Sequence, residues 1–475
     1  MNRYIACTLG LLVVLTGGCA VGPDYHRPET ALPATYRGVE PATSATYRGA
    51  ESAASAPASV AASDFAQADW WTVFKDPVLQ SLIHEALQNN YDLRIAANRV
   101  IQARAQLGVT RANQFPTLDA SLQASRERQP PVNELASNYS AGFQLSWMVD
   151  FWGQYRRATE AARANLLSAA YAREAVRLTL LADVASNYFE LRALDREMAA
   201  SRRILTANEE TLRITKLLVD GGANPVTDEL QARLLVQQAQ AQITQLEESI
   251  AQAENRISVL VGRNPGPIPR GLGLEDQPHM PEVPVGLPSA LLEARPDIRA
   301  AEEGLVAANA DVGVAKAAFF PQIPLTGIGG VSSPSLAKLF DGPQAAWSIG
   351  GGVVQPLFEG GRLRNDYKLA QAQRDAAELT YAQTIQHALS DVADALVGYN
   401  KSRVYRAELE EQAATYAETA RLANDRYRRG ATSFLEVLTT EQQYLNSELQ
   451  LAQAWSAELQ NYVQLYRALG GGYKV

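Results

Sequence analysis

Residues 154–220 contain neither glycine nor proline, and residues 362–429 contain no proline and only Gly398. No other feature of the chain limits its fold as much. At 1.5 Å per residue each stretch predicts a helix of ~100 Å, whereas the average globular helix has ~11–12 residues. A helix of that length needs neighbours to cover an apolar stripe. The first stretch supplies one: Val184, Leu191, Met198, Leu205, Leu212 and Val219 recur at every seventh position. Downstream, Ile243, Leu246, Ile250, Ala253, Ile257 and Leu260 alternate steps of three and four, as do Ala452, Trp455, Leu459, Tyr462, Tyr466 and Leu469. Such sustained spacing predicts helices supercoiling around one another. The second long stretch keeps the register less well, with Arg406 falling in it.

The long stretches belong to two copies of one unit. Displaced by about 205–208 residues, the chain matches itself in order. Asp92-Leu93-Arg94 meets Asp297-Ile298-Arg299, Phe115-Pro116 meets Phe320-Pro321, and Asp183-Val184-Ala185 meets Asp391-Val392-Ala393. Gly222 meets Gly430, and Gly262 meets Gly470. The first repeat spans 70–262 and the second 289–475. Between them, 263–288 holds seven prolines and excludes both helix and central strand. Each repeat predicts two shorter helices, 91–113 with 226–262 and 297–318 with 432–469, which stacked end to end run ~90 Å beside one long helix.

Strands fall between the rising and descending helices, at about 115–128 and 138–152, then 321–333 and 345–359. Leu118, Ala120, Leu122 and Ala124 alternate with Asp119, Ser121, Gln123 and Ser125. Tyr139, Ala141, Phe143, Leu145 and Trp147 alternate with small and polar residues. Alternation of this kind marks a strand with one apolar face. In a soluble sandwich that face points inward; in a membrane barrel it faces lipid, and strands of ~9–11 residues fit a crossing. Four strands cannot close a barrel, and an open edge in lipid leaves backbone groups unpaired. If the strands span a membrane, several chains share one barrel.

The start of the chain reads as an address. Arg3 and the apolar run Ile5–Leu15 are too short for a spanning helix and predict a signal peptide over 1–18. Thr16-Gly17-Gly18-Cys19 resembles a bacterial lipoprotein cleavage site, which implies N-acyl and S-diacylglycerol lipid on Cys19. Ala20 rather than aspartate follows, which by the same resemblance favours the outer membrane. Residues 19–69 form a lipidated linker rich in Ala, Ser, Thr and Pro.

Composition excludes several classes. A net charge of −8 argues against a nucleic-acid partner, and two cysteines cannot build a disulfide scaffold. His26, His84, His279 and His387 are scattered without metal spacing. No Gly-x-Ser-x-Gly elbow and no phosphate loop is present, so neither enzyme activity nor a cofactor is expected.

Trp70-Trp71-x-x-Phe74-x-Asp76-Pro77-x-Leu79, with Leu82-Ile83-x-x-Ala86-Leu87-x-x-Asn90, resembles the opening of the outer-membrane factor family, the TolC-like efflux proteins, in their lipoprotein branch. Arg295-Pro296-Asp297-Ile298-Arg299, Pro356-Leu357-Phe358-x-Gly360-Gly361-Arg362 and Tyr427-Arg428-x-Gly430 continue the resemblance over 19–473. It implies an α+β membrane protein. Four strands per chain would join a twelve-stranded barrel of a homotrimer in the outer membrane, continuous with a coiled helical periplasmic barrel. It also implies a passive exit duct working with a periplasmic adaptor and an inner-membrane pump, of the proton-driven RND type in this branch, with a gate at the periplasmic helix tips.

The tips are visible in the residues themselves: Gly221-Gly222 and Gly430 end the two long helices as left-handed caps. By the family motif, Tyr427, Leu435, Thr439 and Asp228 are candidates for the constriction, with Arg428, Gln442 and Gln231 beside them. Related channels carry an aspartate and an arginine where Thr439 and Gln442 stand here, which shifts weight to Leu435 and to Asp228 with Arg428 or Arg429. The alternative is a structural coiled-coil envelope lipoprotein without transport, which accounts for the helices and the lipid but has no need of the alternating strands.

Overall fold

The computed structural model describes residues 20–29, 32–33, 36, 70–129, 134–277, 292–341 and 344–471. The expected signal peptide, Cys19, most of the linker to residue 69 and the proline-rich stretch 278–288 lie outside them. A 3-10 turn (Trp70–Phe74) leads to α1 (Pro77–Asn89), α2 (Tyr91–Ala112), β1 (Thr117–Gln129), β2 (Glu134–Val149), α3 (Gln154–Asp220) and α4 (Val226–Leu260). The second repeat follows with α5 (Pro296–Ala317), β3 (Ile323–Ser333), β4 (Ala345–Gly351), α6 (Arg362–Arg428) and α7 (Phe434–Ala468). The two long helices have 67 residues each. Glycine and proline flank them and are all but missing within, so nothing interrupts the backbone ladder.

The chain forms two compact units. One contains residues up to Thr30, Asn98–Tyr171 and Arg299–Thr384. Its sheet has the order β1-β2-β3-β4, every neighbour antiparallel. Residues 20–29 are tied to its helices. The Val21 N–H donates to the Trp152 carbonyl at 3.0 Å, Arg157 pairs with Asp24 at 2.6 Å, and Arg27 pairs with Glu302 at 2.6 Å.

The other unit contains Ala31–Ala97, Ala172–Ile298 and Ile385–Val475. Its centre is aromatic: Phe74 lies 4.8 Å from Phe189 and 5.9 Å from Tyr462, and Tyr399 lies 5.5 Å from Tyr462, ring centre to ring centre. The seven-residue seam is covered as the spacing requires. Val184, Leu191 and Met198 are buried, Leu205, Leu212 and Val219 half-buried, and none is exposed. Trp71 is buried here too. Asp76 is 0% exposed and holds three segments together. Its Oδ1 accepts from the Val78 and Leu79 N–H groups at the start of α1. Its Oδ2 accepts from the Tyr188 hydroxyl at 2.8 Å and from the Leu272 N–H at 3.0 Å.

Several strand boundaries differ from expectation: β2 begins at Glu134 and not 138, β1 at Thr117 and not 115, and β3 at Ile323 and not 321. The second hairpin's outer strand stops at Gly351 instead of reaching 359. Gly351 pairs with Leu325, and the next partner position is Pro324, which has no N–H to give. The Gly352 N–H still donates to the Pro324 carbonyl at 3.0 Å, but nothing returns from Pro324, and beyond it an isolated bridge, Gln322 with Val354, continues the register. β2 ends at Val149 and not at 152, because Asp150–Gly153 turns the chain into α3. The Asp150 carboxylate accepts from the Arg156 N–H at 2.8 Å, and Gly153 sits at φ +80°.

Candidate functional site

Two places carry the features the sequence singled out: the sheet in one unit and the helix ends in the other. In the sheet, the register sorts side chains into rows across all four strands. Ala120 is opposite Phe143, which is opposite Gly329, which is opposite Trp347. Leu118, Leu145, Gly327 and Ile349 form the row beside it. The intervening rows are Asp119, Gln144, Ile328 and Ser348, then Thr117, Ser146, Thr326 and Gly350. One face is therefore apolar and aromatic and the other mostly polar and small. The apolar face is largely open among the described residues: Leu118 is 65% exposed and Ile349 82%. A sandwich core would bury it, and no second sheet does so among the described residues. Among the described residues the outer edges of β1 and β4 have no partner strand. Among the described residues no helix is long and apolar enough to cross a membrane.

At the other place α3 meets α4 and α6 meets α7 through two turns built alike. Gly222 and Gly430 sit at φ +73° and +70°, the left-handed conformation that glycine adopts without steric cost. The Gly222 N–H donates to the Val219 carbonyl and the Ala223 N–H to Leu218. In the second repeat the Gly430 N–H donates to Tyr427 and the Ala431 N–H to Arg426. A side chain after each glycine then donates to a carboxylate in the first turn of the next helix: Asn224 to Asp228 at 2.9 Å, and Thr432 to Glu436. The joint is the same in both copies.

Between the joints lies a small apolar core of Ala232, Leu235, Ala423, Tyr427, Phe434 and Val437. Tyr427 is its hinge piece. Its ring packs 5.3 Å from Phe434, and its hydroxyl accepts from Asn224 Nδ2 at 3.0 Å, 3.4 Å from the Thr215 hydroxyl. The side chain thus ties α6 to the turn of the other copy. One turn further along α7, Glu441 is buried and accepts from Asn424 at 2.5 Å. Burial raises its pKa, and the bond from Asn424 lowers it in part.

The candidate gate residues divide by position. Tyr427 is inside the core. Leu435 stands 61% exposed, with Thr439 on the same face of α7, the Thr439 hydroxyl donating to the Leu435 carbonyl at 2.9 Å. Gln442 follows on that face, donating to Asn446 at 3.4 Å. Gln231 and Asp228 are half-buried on α4. Asp228 is held by Asn224, and within the protomer it makes no ion pair with Arg428 or Arg429; Arg428 lies near Glu210 instead. Sequence reasoning missed Asn224, Thr215 and Phe434. A signal for Asn224 was present, an amide two residues after a glycine cap and directly before Pro225. Thr215 carried none, since its partner is 212 residues away.

Among the described residues no group of His, Cys, Asp and Glu could hold a metal.

The model of the family described as outer membrane efflux protein matches residues 82–263 and 287–471, the two repeats in turn. The solvent efflux pump outer membrane protein SrpC of Pseudomonas putida is 35% identical over 473 residues, 98% of this chain and 97% of that protein. The outer membrane protein OprJ of Pseudomonas aeruginosa is 34% identical over 473 residues, 98% of this chain and 95% of that one. Among solved structures, the open state of the MtrE outer membrane channel of Neisseria gonorrhoeae superposes with a TM-score of 0.84 at 31% identity, covering 96% of this chain and 98% of that chain. The match runs through both repeats, and the chain belongs to the outer membrane efflux protein family.

Proposed function

We propose that the protein is the exit duct of a tripartite efflux system: a homotrimer in the outer membrane that conducts molecules delivered by an inner-membrane pump through a periplasmic adaptor. The observation that carries this reading is the four-stranded sheet with an apolar face and two unpaired edges. In lipid each bare backbone group costs several kcal/mol, and pairing β4 of one copy with β1 of the next removes both edges. Three copies give twelve strands, wide enough for a pore, where two would give eight and a filled interior. The family is one of transport and not of enzymes. Nothing in this arrangement supplies energy, so the pump does, and by the branch it resembles that pump is of the proton-driven RND type.

The lower end of the duct is closed in this reading by the helix tips, with Leu435, Thr439 and Gln442 on the face of α7 left open in the protomer. Opening loosens the joints at Gly222 and Gly430. Lipid on Cys19 adds an anchor. It is supported by the path of residues 20–29, since a Cβ on Gly153, just after β2, would come within 2.8 Å of the Ala20 Cα. An envelope protein without transport would have no use for a sheet whose apolar face is bare.

Conductance in a planar bilayer tests the proposal. The purified full chain inserts and forms pores of uniform size, small at rest and larger in Leu435→Ala. Absence of any pore from wild type and from Leu435→Ala alike would sink it.

A further inference from the structure

We propose that Arg126 and Arg128 on β1 form a binding surface for the phosphate groups of a phosphorylated lipid in the outer leaflet. The inference rests on the sheet being part of a membrane barrel.

The register fixes which face the two side chains take. Arg126 and Arg128 share the face of Leu118, Ala120, Leu122 and Ala124, opposite Ser137 and Leu135 of β2. On that face β2 shows Tyr139, Ala141, Phe143, Leu145, Trp147 and Val149. β3 shows Ile323, Leu325, Gly327, Gly329, Val331 and Ser333, and β4 shows Ala345, Trp347, Ile349 and Gly351. Among the strand residues the two arginines are the only charges on it. The acids of β1, Asp119 and Glu127, point to the other face, so no carboxylate of the strand competes for the guanidinium groups.

Their height is as specific as their face. β1 follows α2 and β2 leads into α3, and the two strands run antiparallel, so both arginines, near the far end of β1, lie at the end of the sheet remote from α2 and α3. Arg126 is eight residues beyond Leu118, roughly 26 Å along the strand, which a tilt of 35–45° turns into roughly 20 Å of height. Arg128 adds roughly 5 Å more. A lipid-facing apolar band is roughly 25 Å tall. The pair therefore sits where the band gives way to headgroups, the one depth at which an outward arginine is tolerated without a buried partner. Both side chains are exposed, and within the protomer neither makes an ion pair among the described residues. Two guanidinium forks stand two residues apart, each able to take a phosphate in bidentate fashion. Above a lipid-facing surface, the matching occupant has several acyl chains for the apolar rows and phosphate at their head.

Native mass spectrometry of the full-length protein in mixed micelles tests this, with bisphosphorylated lipid A, the same lipid after phosphatase treatment, and inorganic phosphate as a competitor. Wild type is expected to retain the phosphorylated lipid about tenfold better than the dephosphorylated one, the gain of a charge-assisted contact. Arg126→Gln/Arg128→Gln is expected to lose that preference, and millimolar inorganic phosphate to leave it in place. Equal retention of both lipids by wild type overturns the proposal without recourse to any variant. So does an unchanged preference in the double variant, or displacement by inorganic phosphate, which would mark a free-anion site. Pore formation by both proteins is read in parallel. Loss of preference with conductance intact concerns the arginines alone, whereas a wild type that forms no pore removes the barrel and this surface with it.

Discussion

The Tyr188 hydroxyl lies 2.8 Å from Oδ2 of Asp76, a residue 112 positions earlier in the chain, and both are fully buried. The same hydroxyl accepts from the Gly271 N–H at 2.9 Å. The contact joins the start of α1, the middle of α3 and the segment after α4. Burial first, then the bond to Asp76, raises the Tyr188 pKa, so the phenol stays a donor at any physiological pH.

Removing that carboxylate is therefore expensive. Asp76→Ala takes away a helix N-cap, worth ~0.5–2 kcal/mol, and leaves the buried Tyr188 hydroxyl and Leu272 N–H short of an acceptor. A loss of ~3 kcal/mol or more is expected, read as a lowered denaturant midpoint of the helical circular dichroism. Gly271→Ala gives an independent check, since its Cβ would meet Asp76 Oδ1 at 2.1 Å. It should lower the same midpoint even though no polar group is removed.

The joints offer a cleaner comparison. A Cβ at Gly222 or Gly430 meets nothing within 4 Å, so alanine there costs only its left-handed backbone, ~1–2 kcal/mol. Each single change should increase protease cleavage at the turn it alters while leaving the midpoint of the whole molecule nearly unmoved. A large global loss would show that the turns are not local joints.

Tyr427→Phe keeps the ring on Phe434 and deletes the hydroxyl that meets Asn224 and Thr215. The expected weakening is ~1 kcal/mol, confined to the tip. In a bilayer this should raise the fraction of time spent in the larger conductance state. If the variant and wild type gate alike, the hydroxyl has no part in closure.

Glu441 and Glu197 are buried, and burial is the first cause of a raised pKa in each. The folded state thus holds its proton at pH values where the unfolded carboxylate has already lost it. Stability from these groups is complete below the ordinary glutamate value and declines as pH rises from there through the raised value. Glu441→Gln should flatten that decline and stabilise the tip at neutral pH. A steeper loss of stability toward acid in wild type than in Glu441→Gln would contradict it.

For the anchor, Cys19→Ala should abolish incorporation of labelled palmitate while the protein still fractionates with the outer membrane, held there by its barrel. Continued labelling of the variant would exclude Cys19 as the acylated residue.

What the sequence disclosed depended on range. The long helices were legible because glycine and proline stop at Gly153 and resume at Gly221, a purely local signal. Gly222 and Gly430 were legible for the same reason, and the alternation around Phe143 announced a two-faced strand. The role of Asp76 was not, because its acceptor atoms serve Tyr188 and Leu272, far along the chain. The end of β4 was misjudged because what stops it is a missing N–H on another strand, at Pro324. At the tips, residue type pointed to Tyr427 without revealing that its ring is packed inside; only the placement of Phe434 and Asn224 decides that.

The brevity of β4 has a bearing on how copies would hold together. It has 7 residues and β1 has 13, so a ladder joining one copy to the next is limited to the shorter length. Within a chain, β1 and β2 are zipped along all of β1. Heat or detergent should then open the ring along the three lines where separate molecules abut before β1 and β2 part, whereas β3 and β4, paired over seven positions, are held by a ladder no longer than those lines.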